Sequence, residues 1–198
     1  MPPIHDGEIT LYTRQIAYFH VPMAVAMEVA FLMAAWHGLM WLRTRQVRHD
    51  SLSLAYAEIG TIGGIIATAT GSIFAKTNWN AYWSWDPQQV GVVITLLTYF
   101  ALFSLRGAVD DEEKRRSLWA VYAIIGWLTA LFASVIYHRI LPQMETLHPQ
   151  NTLFTSDPLP KIALWFNVIG YVMVIVWITN IRARLETAAM RVQEASWA

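Results

Sequence analysis

IALWFNVIGYVMVIVWITNI, residues 162–181, runs for twenty positions without a charged side chain. A helix of that length rises about 30 Å, the thickness of a bilayer's hydrocarbon core. Four further apolar runs lie upstream, at 21–42, 54–74, 90–105 and 118–137; the third is short and borrows a turn from 87–89. The segments between them are rich in Pro, Asn, Asp, Arg and Lys and too short for a second domain, and no internal repeat or low-complexity tract is visible. The expected fold is therefore all-α: a polytopic transmembrane helical bundle with five spanning helices, residues 1–198 forming a single integral membrane domain.

Composition agrees with the runs. The 198 residues are 56% hydrophobic and 13% aromatic but only 14% charged, against roughly 25% charged in a soluble domain, which argues against a soluble enzyme. Fourteen basic residues balance fourteen acidic ones, so the basic excess of a nucleic-acid binder is missing and net charge names no partner; the apolar runs make the lipid bilayer the first one. The absence of Cys excludes a disulfide framework, a thiolate metal site, a Cys nucleophile and a thioether-linked haem on this chain.

Orientation follows from the basic residues, because cytoplasmic loops retain Lys and Arg. Arg43, Arg45 and Arg48 follow the first run, Arg106, Lys114, Arg115 and Arg116 the third, and Arg182, Arg184 and Arg191 the fifth. Only Arg14, Lys76, Arg139 and Lys161 fall on the other side. The amino-terminal segment, the 75–89 loop and the 138–161 loop are thus expected outside, and the C-terminus in the cytoplasm. The first 20 residues lack both the apolar core and the small-residue cleavage site of a signal peptide.

The unusual residues all sit in the outer segments: YFHVP at 18–22, NWNAYWSWDPQQ at 78–89, and TLHP at 146–149. Asp86 reads as the N-cap of the third helix, with Pro87 at its first position and Gln89 closing a capping box. Trp79, Tyr82, Trp83 and Trp85 then form an aromatic shelf at the membrane surface, suited to a large flat apolar ligand. Trp and Tyr also gather at interfaces simply to anchor helices, which accounts for the dispersed Trp36, Trp41, Trp119, Trp127, Trp165 and Trp177 as belt or packing residues. Three Trp and one Tyr in seven positions are denser than anchoring requires. His20 and His148, from distant sequence, flank this shelf. Taken singly each reads as an ordinary interfacial histidine, but together they describe an axial pair for a haem. His138 is a third candidate. His37 reads as a packing residue, and His5 and His49 as solvated ones.

These motifs resemble the haem exporter protein C family, haem-handling membrane proteins of cytochrome c maturation. The likeness runs from about Tyr12 to Arg182 and rests on the Tyr-Phe-His-Val-Pro segment, the Trp-rich loop ending in Trp-Asp-Pro, and Thr-Leu-His-Pro-Gln. It implies that Trp79, Trp83, Trp85 and Asp86 belong to a haem-binding loop and that His20 and His148 match two external axial ligands. It also implies a transient, non-covalent haem b, delivery to a periplasmic haem chaperone, and membrane partners including an ABC-type transporter complex in the inner membrane. Three positions depart from the family pattern: Asn80 stands where Gly is usual, Tyr82 where Trp is, and Gln88 where Arg is. Gln143 and Met144 replace a Trp pair, and the family commonly has six spanning helices, the first of which has no counterpart here.

A haem also brings two anionic propionates. Arg14, Lys76, Arg139 and Lys161 are the outer cations, and Lys76 and Arg139 are favoured for them; snorkelling at helix ends explains the same residues equally well. Asp86 would repel a propionate and is assigned to loop geometry. Glu28 lies about two turns inside the first helix and is a functional candidate by position, whereas Glu58 reads as solvated at the inner surface. Gly60 and Gly64 form a small-xxx-small pattern for close helix packing. No nucleophile and base are spaced for hydrolysis, so haem binding and delivery without catalysis is the expected function. A haem-to-apocytochrome synthetase with a similar Trp-rich loop is the alternative, though such proteins are generally longer. A membrane cytochrome b would need paired histidines at matched depth, and only His37 lies clearly inside a run.

Overall fold

The computed structural model describes residues 6–137, 147 and 158–196. All elements among them are helical: α1 (Asp6–Thr44), α2 (Val47–Trp79), α3 (Pro87–Gly107), α4 (Glu112–Leu131), which continues into one π-helical turn (Phe132–Ile136), and α5 (Pro158–Ser196). Each of the five contains a stretch long and apolar enough to cross a membrane, as the five runs predict.

The helices outrun the hydropathy signal at their ends. Hydropathy measures the slab a helix crosses, and a helix need not stop where the slab does. α1 therefore begins at Asp6, and Pro22 lies inside it instead of near its start. An interior proline removes one ladder hydrogen bond and costs about 3 kcal/mol in an isolated helix. Here Pro22 is fully buried, in the packed setting where membrane helices absorb that loss. α2 likewise runs on to Trp79, which shortens the expected 75–89 loop to residues 80–86.

α1 packs on α2, α4 and α5, while α3 packs on α2, α4 and the π turn; α5 touches only α1 and α2 among the described elements. Close approach depends on small residues. A Cβ at Gly60 would lie 2.8 Å from the Phe31 ring, and one at Gly64 would lie 2.9 Å from both Leu96 and Met27, so the small-residue pattern serves packing within the bundle. Phe31 in turn stacks on Tyr99 with ring centroids 3.7 Å apart. α5 keeps Phe166, Met173, Trp177 and Leu185 exposed, a hydrocarbon face suited to lipid.

The end carrying the 45–46 and 108–111 turns, here the basic end, is tied by charge. Asp50, buried, accepts from Arg106 Nη1 at 2.8 Å and Nη2 at 2.7 Å, and Arg116 Nε stands 3.5 Å away. Arg106 lies over Trp119 and Arg116 over Trp41, and both tryptophans are buried packing residues. Two expectations change here. Glu58 is not simply solvated: it pairs with Arg182 Nε at 2.8 Å, linking α2 to α5. His37 and His49 are partners, their Nδ1 atoms 3.0 Å apart, with Tyr56 stacked on His37. Glu28 is turned into the bundle, where Ser134 of the π turn faces it without completing a hydrogen bond of normal geometry.

Candidate haem-binding site at the aromatic end

At the opposite end, α2 stops because Asn80 adopts a left-handed conformation, φ 57°. Gly or Asn both suit that cap, so the departure from the family's usual Gly leaves the turn intact. Lys76 Nζ donates to Asn80 O at 3.0 Å and to Asn80 Oδ1 at 2.9 Å, and it lies 5.7 Å from the centre of the Tyr82 ring. The residue favoured for a propionate thus also holds the start of the loop.

The loop's other end is held by Asp86. As expected it caps α3, Oδ1 accepting from Gln88 N at 3.0 Å with Pro87 at the first helical position. The capping box does not close as the sequence suggests. Gln89 Oε1 accepts instead from Ser84 N at 2.9 Å and from Ser84 Oγ at 3.1 Å, pinning the loop two residues before the cap. The second carboxylate oxygen of Asp86 accepts from Leu147 N at 2.6 Å, so one buried side chain ties the Trp-rich loop to Leu147. Between these anchors Trp85 has φ 59°. A bulky side chain in the left-handed region costs about 1–2 kcal/mol, and such strain persists where surrounding contacts overdetermine it.

His20 sits in the middle of α1 and reaches across to α2. Its Nδ1 is 2.9 Å from Ala67 O, with Thr70 Oγ1 3.4 Å away. A carbonyl can only accept, so Nδ1 carries the proton and the lone pair of the neutral ring falls on Nε2. The niche exists because position 71 is glycine: a Cβ there would stand 2.7 Å from His20 Cε1. Phe74, one turn further along α2, stacks parallel to the imidazole with centroids 6.5 Å apart.

Trp83 is brought to the same place. With His20, Thr68, Gln88, Gln89 and Ser134 it lines a cavity of about 130 Å³ between α1, α2, α3 and the π turn. The Trp83 indole N–H is buried there without a hydrogen-bond partner among the described residues. That volume suits about four waters, not a porphyrin. A flat ligand would have to lie outside it; Tyr82 and Trp85, on the same loop as Trp83 but not in the cavity lining, are 61% and 71% exposed. Trp83 and Trp85 meet edge to face at 5.7 Å and 88°, so the rings form a corner where a flat shelf was expected. Trp79 is the last residue of α2 and packs edge-on against Phe74, centroids 5.9 Å apart.

The structure therefore groups His20, Trp83 and the start of α3 around one cavity, sets Trp85 against Trp83, and puts Lys76 beside Tyr82 on the same loop. His148, Arg139 and His138 lie outside the described residues. Sequence reasoning missed Gly71 and Ala67, and it gave Gln89 a different hydrogen-bond partner. A glycine four residues beyond Ala67 on a small-residue helix was the only available signal, and it looks the same as any packing glycine.

A polytopic α-helical membrane protein with an exposed aromatic corner beside a tautomer-fixed histidine is the class these features define. The family model described as Heme exporter protein C matches residues 9–198, and the chain belongs to that family. It is similar to Heme exporter protein C of Rhodobacter capsulatus, 26% identical over 184 residues, covering 91% of this chain and 76% of the relative. It is likewise similar to that of Escherichia coli K12, 27% over 176 residues with 86% and 69% covered, and that of Haemophilus influenzae, 29% over 182 residues with 87% and 70% covered.

Proposed function

We propose that the chain holds haem as cargo at its aromatic end, with His20 and His148 as axial ligands, and presents it to a periplasmic haem chaperone during cytochrome c maturation. The name its relatives carry supports haem as the ligand and export as the setting; an ABC-type transporter complex as membrane partner is part of the same proposal. The carrying observation is the His20 niche. Histidines that bind metal through one nitrogen commonly donate the other ring N–H to a carbonyl or carboxylate, which fixes the tautomer and raises ligand basicity. The Ala67 carbonyl does that for His20.

The remaining chain fits a releasable haem b. With no Cys, a thioether link to this chain is excluded, and the reading takes the haem as held non-covalently. Tyr82 and Trp85 offer exposed ring faces, and the buried Trp83 N–H is a hydrogen-bond donor in want of an acceptor. Two of the three N–H groups of Lys76 are engaged by Asn80, leaving one for a propionate, with Arg139 the second candidate. On this reading the protein makes and breaks no covalent bond, the aromatic end faces the periplasm and the C-terminus the cytoplasm. An electron-carrying cytochrome is disfavoured by the His37 and His49 pair. Two nitrogens sandwiching a metal stand about 4 Å apart, whereas these are 3.0 Å apart and share a hydrogen bond.

The test is the haem content and Soret band of the purified protein and of His20→Ala and His148→Ala. Each variant should lose most of its haem while keeping its helical content. Unchanged spectra in both would overturn the axial assignment. Mixing the loaded protein with a periplasmic acceptor then separates delivery from redox cycling, since a carrier loses its Soret band to the acceptor.

A further inference from the structure

A second cavity, of about 620 Å³, opens between α2 and α5 at the basic end, lined by Arg48, Ser51, Asn180, Arg184 and Thr187 among others. It has room for roughly twenty waters and is far larger than the one beside His20. The charges around it are unevenly spent. Asp50, next to Ser51 in the chain, is taken by Arg106 and Arg116. Glu58 and Glu186 are taken by Arg182. Arg48 and Arg184 have no carboxylate within 4 Å among the described residues.

The neutral groups leave recognition to the two arginines. Asn180 Nδ2 donates to Val176 O and Thr187 Oγ1 to Ala183 O, so both are satisfied within α5. The Ser51 hydroxyl, 1% exposed, is buried without a hydrogen-bond partner among the described residues. Two guanidinium groups without carboxylate partners beside one cavity suit a phosphate, because guanidinium donors pair with phosphate oxygens in bidentate fashion; the Ser51 hydroxyl, closed off from the cavity, takes no part. The flank of α5 beside Arg184 exposes Ile181 and Leu185, a surface that acyl chains cover and a soluble anion does not. Basic pockets between spanning helices on the cytoplasmic side are where anionic headgroups bind.

We infer that this cavity holds the phosphate headgroup of an anionic phospholipid, gripped by Arg48 and Arg184, with its acyl chains along the Ile181 and Leu185 flank of α5. The bound lipid completes the packing of α5, which is otherwise held only by α1 and α2 among the described elements.

Native mass spectrometry of the delipidated full chain in detergent, titrated with phosphatidylglycerol or phosphatidylcholine, tests this. The wild type should prefer phosphatidylglycerol. The double variant Arg48→Gln, Arg184→Gln should lose at least about tenfold in its affinity. Arg43→Gln, an exposed arginine at the same end that does not line the cavity, should stay within about twofold. The double Arg→Lys variant keeps the charge and should retain part of the preference, which separates lost binding from lost folding. Wild-type phosphatidylglycerol retention by the Gln variant, or no preference between the lipids in the wild type, would overturn the inference. Displacement by inorganic phosphate at matched concentration would reassign the cavity to a free anion, and displacement by hemin would reassign it to the cargo; either contradicts a lipid site.

Discussion

At the basic end Trp41 and Trp119 are 3% and 2% exposed and lie beneath arginine guanidinium groups, whereas at the aromatic end Tyr82 and Trp85 are 61% and 71% exposed. The same residue types are used in opposite ways. At the basic end charge and hydrogen bonding close the bundle: Asp50 is bidentate to Arg106, Trp119 donates to Ser53 Oγ at 2.9 Å, and Ser53 donates to Ala34 O at 2.7 Å; these bonds outweigh a Trp41 N–H and a Ser51 hydroxyl buried there without partners among the described residues and a left-handed Arg45. At the aromatic end comparable costs fall within one short, exposed loop. Trp85 is in a left-handed conformation, and the Trp83 N–H is buried without a partner among the described residues. Such costs in a loop anchored at both ends mark a place shaped for something other than the stability of the chain itself.

The largest effect should come from breaking the basic end. Asp50→Ala leaves Arg106 and Arg116 partly buried without their shared counter-charge and should cost about 3–5 kcal/mol. Thermal unfolding in detergent reads this, and haem bound per folded molecule should not change. A variant that unfolds normally but loses haem would mean the two ends are coupled.

Gly71→Ala sharpens the contrast from the other side. Its Cβ would fall 2.7 Å from His20 Cε1, and overpacking of this kind costs about 1–3 kcal/mol. Here the loss should appear mainly as a weakened or shifted Soret band, because the imidazole is what must move.

Much of the architecture was legible in the sequence, since twenty-residue apolar runs admit few alternatives in a bilayer, and the Asp86-Pro87 helix start carries its own local chemistry. Boundaries were less so. Polar stretches such as residues 6–15 remain helical once the adjoining span has nucleated them, and hydropathy is blind to that. Asp50 was invisible for a different reason: charges counted one at a time show which end is basic but not which pairs cancel. The His20 niche was half visible. The histidine stands out, but the Ala67 carbonyl and the bare backbone at Gly71 that hold it are supplied by another helix, and only the packing of α1 on α2 brings them together.

Asp86→Asn should have an intermediate effect. An amide keeps one accepting oxygen for Gln88 N but cannot also accept from Leu147 N, and a buried N–H left unmatched costs about 1–3 kcal/mol. The sequence alone suggests that Asn would serve equally as a cap; the second bond predicts a measurable fall in melting temperature with a partial loss of haem. Identical melting would mean the tie to Leu147 contributes nothing.

The smallest change in stability should come from Trp85→Gly. Relief of the left-handed backbone is worth about 1–2 kcal/mol, offset by the 0.5–1 kcal/mol or so that glycine's freedom costs on folding. The melting temperature should therefore hold or rise slightly while haem affinity falls. Trp85→Ala removes the ring but keeps the strain, so it should bind haem as poorly and melt lower.

The central claim is that His20, held by the Ala67 carbonyl, presents its Nε2 to haem iron. His20→Ala titrated with hemin, with and without added imidazole, addresses it most directly. The account predicts a weak, shifted Soret band that free imidazole restores towards the wild-type position by occupying the vacated niche. A wild-type spectrum without imidazole, or a weakened band that imidazole leaves unchanged, would contradict it.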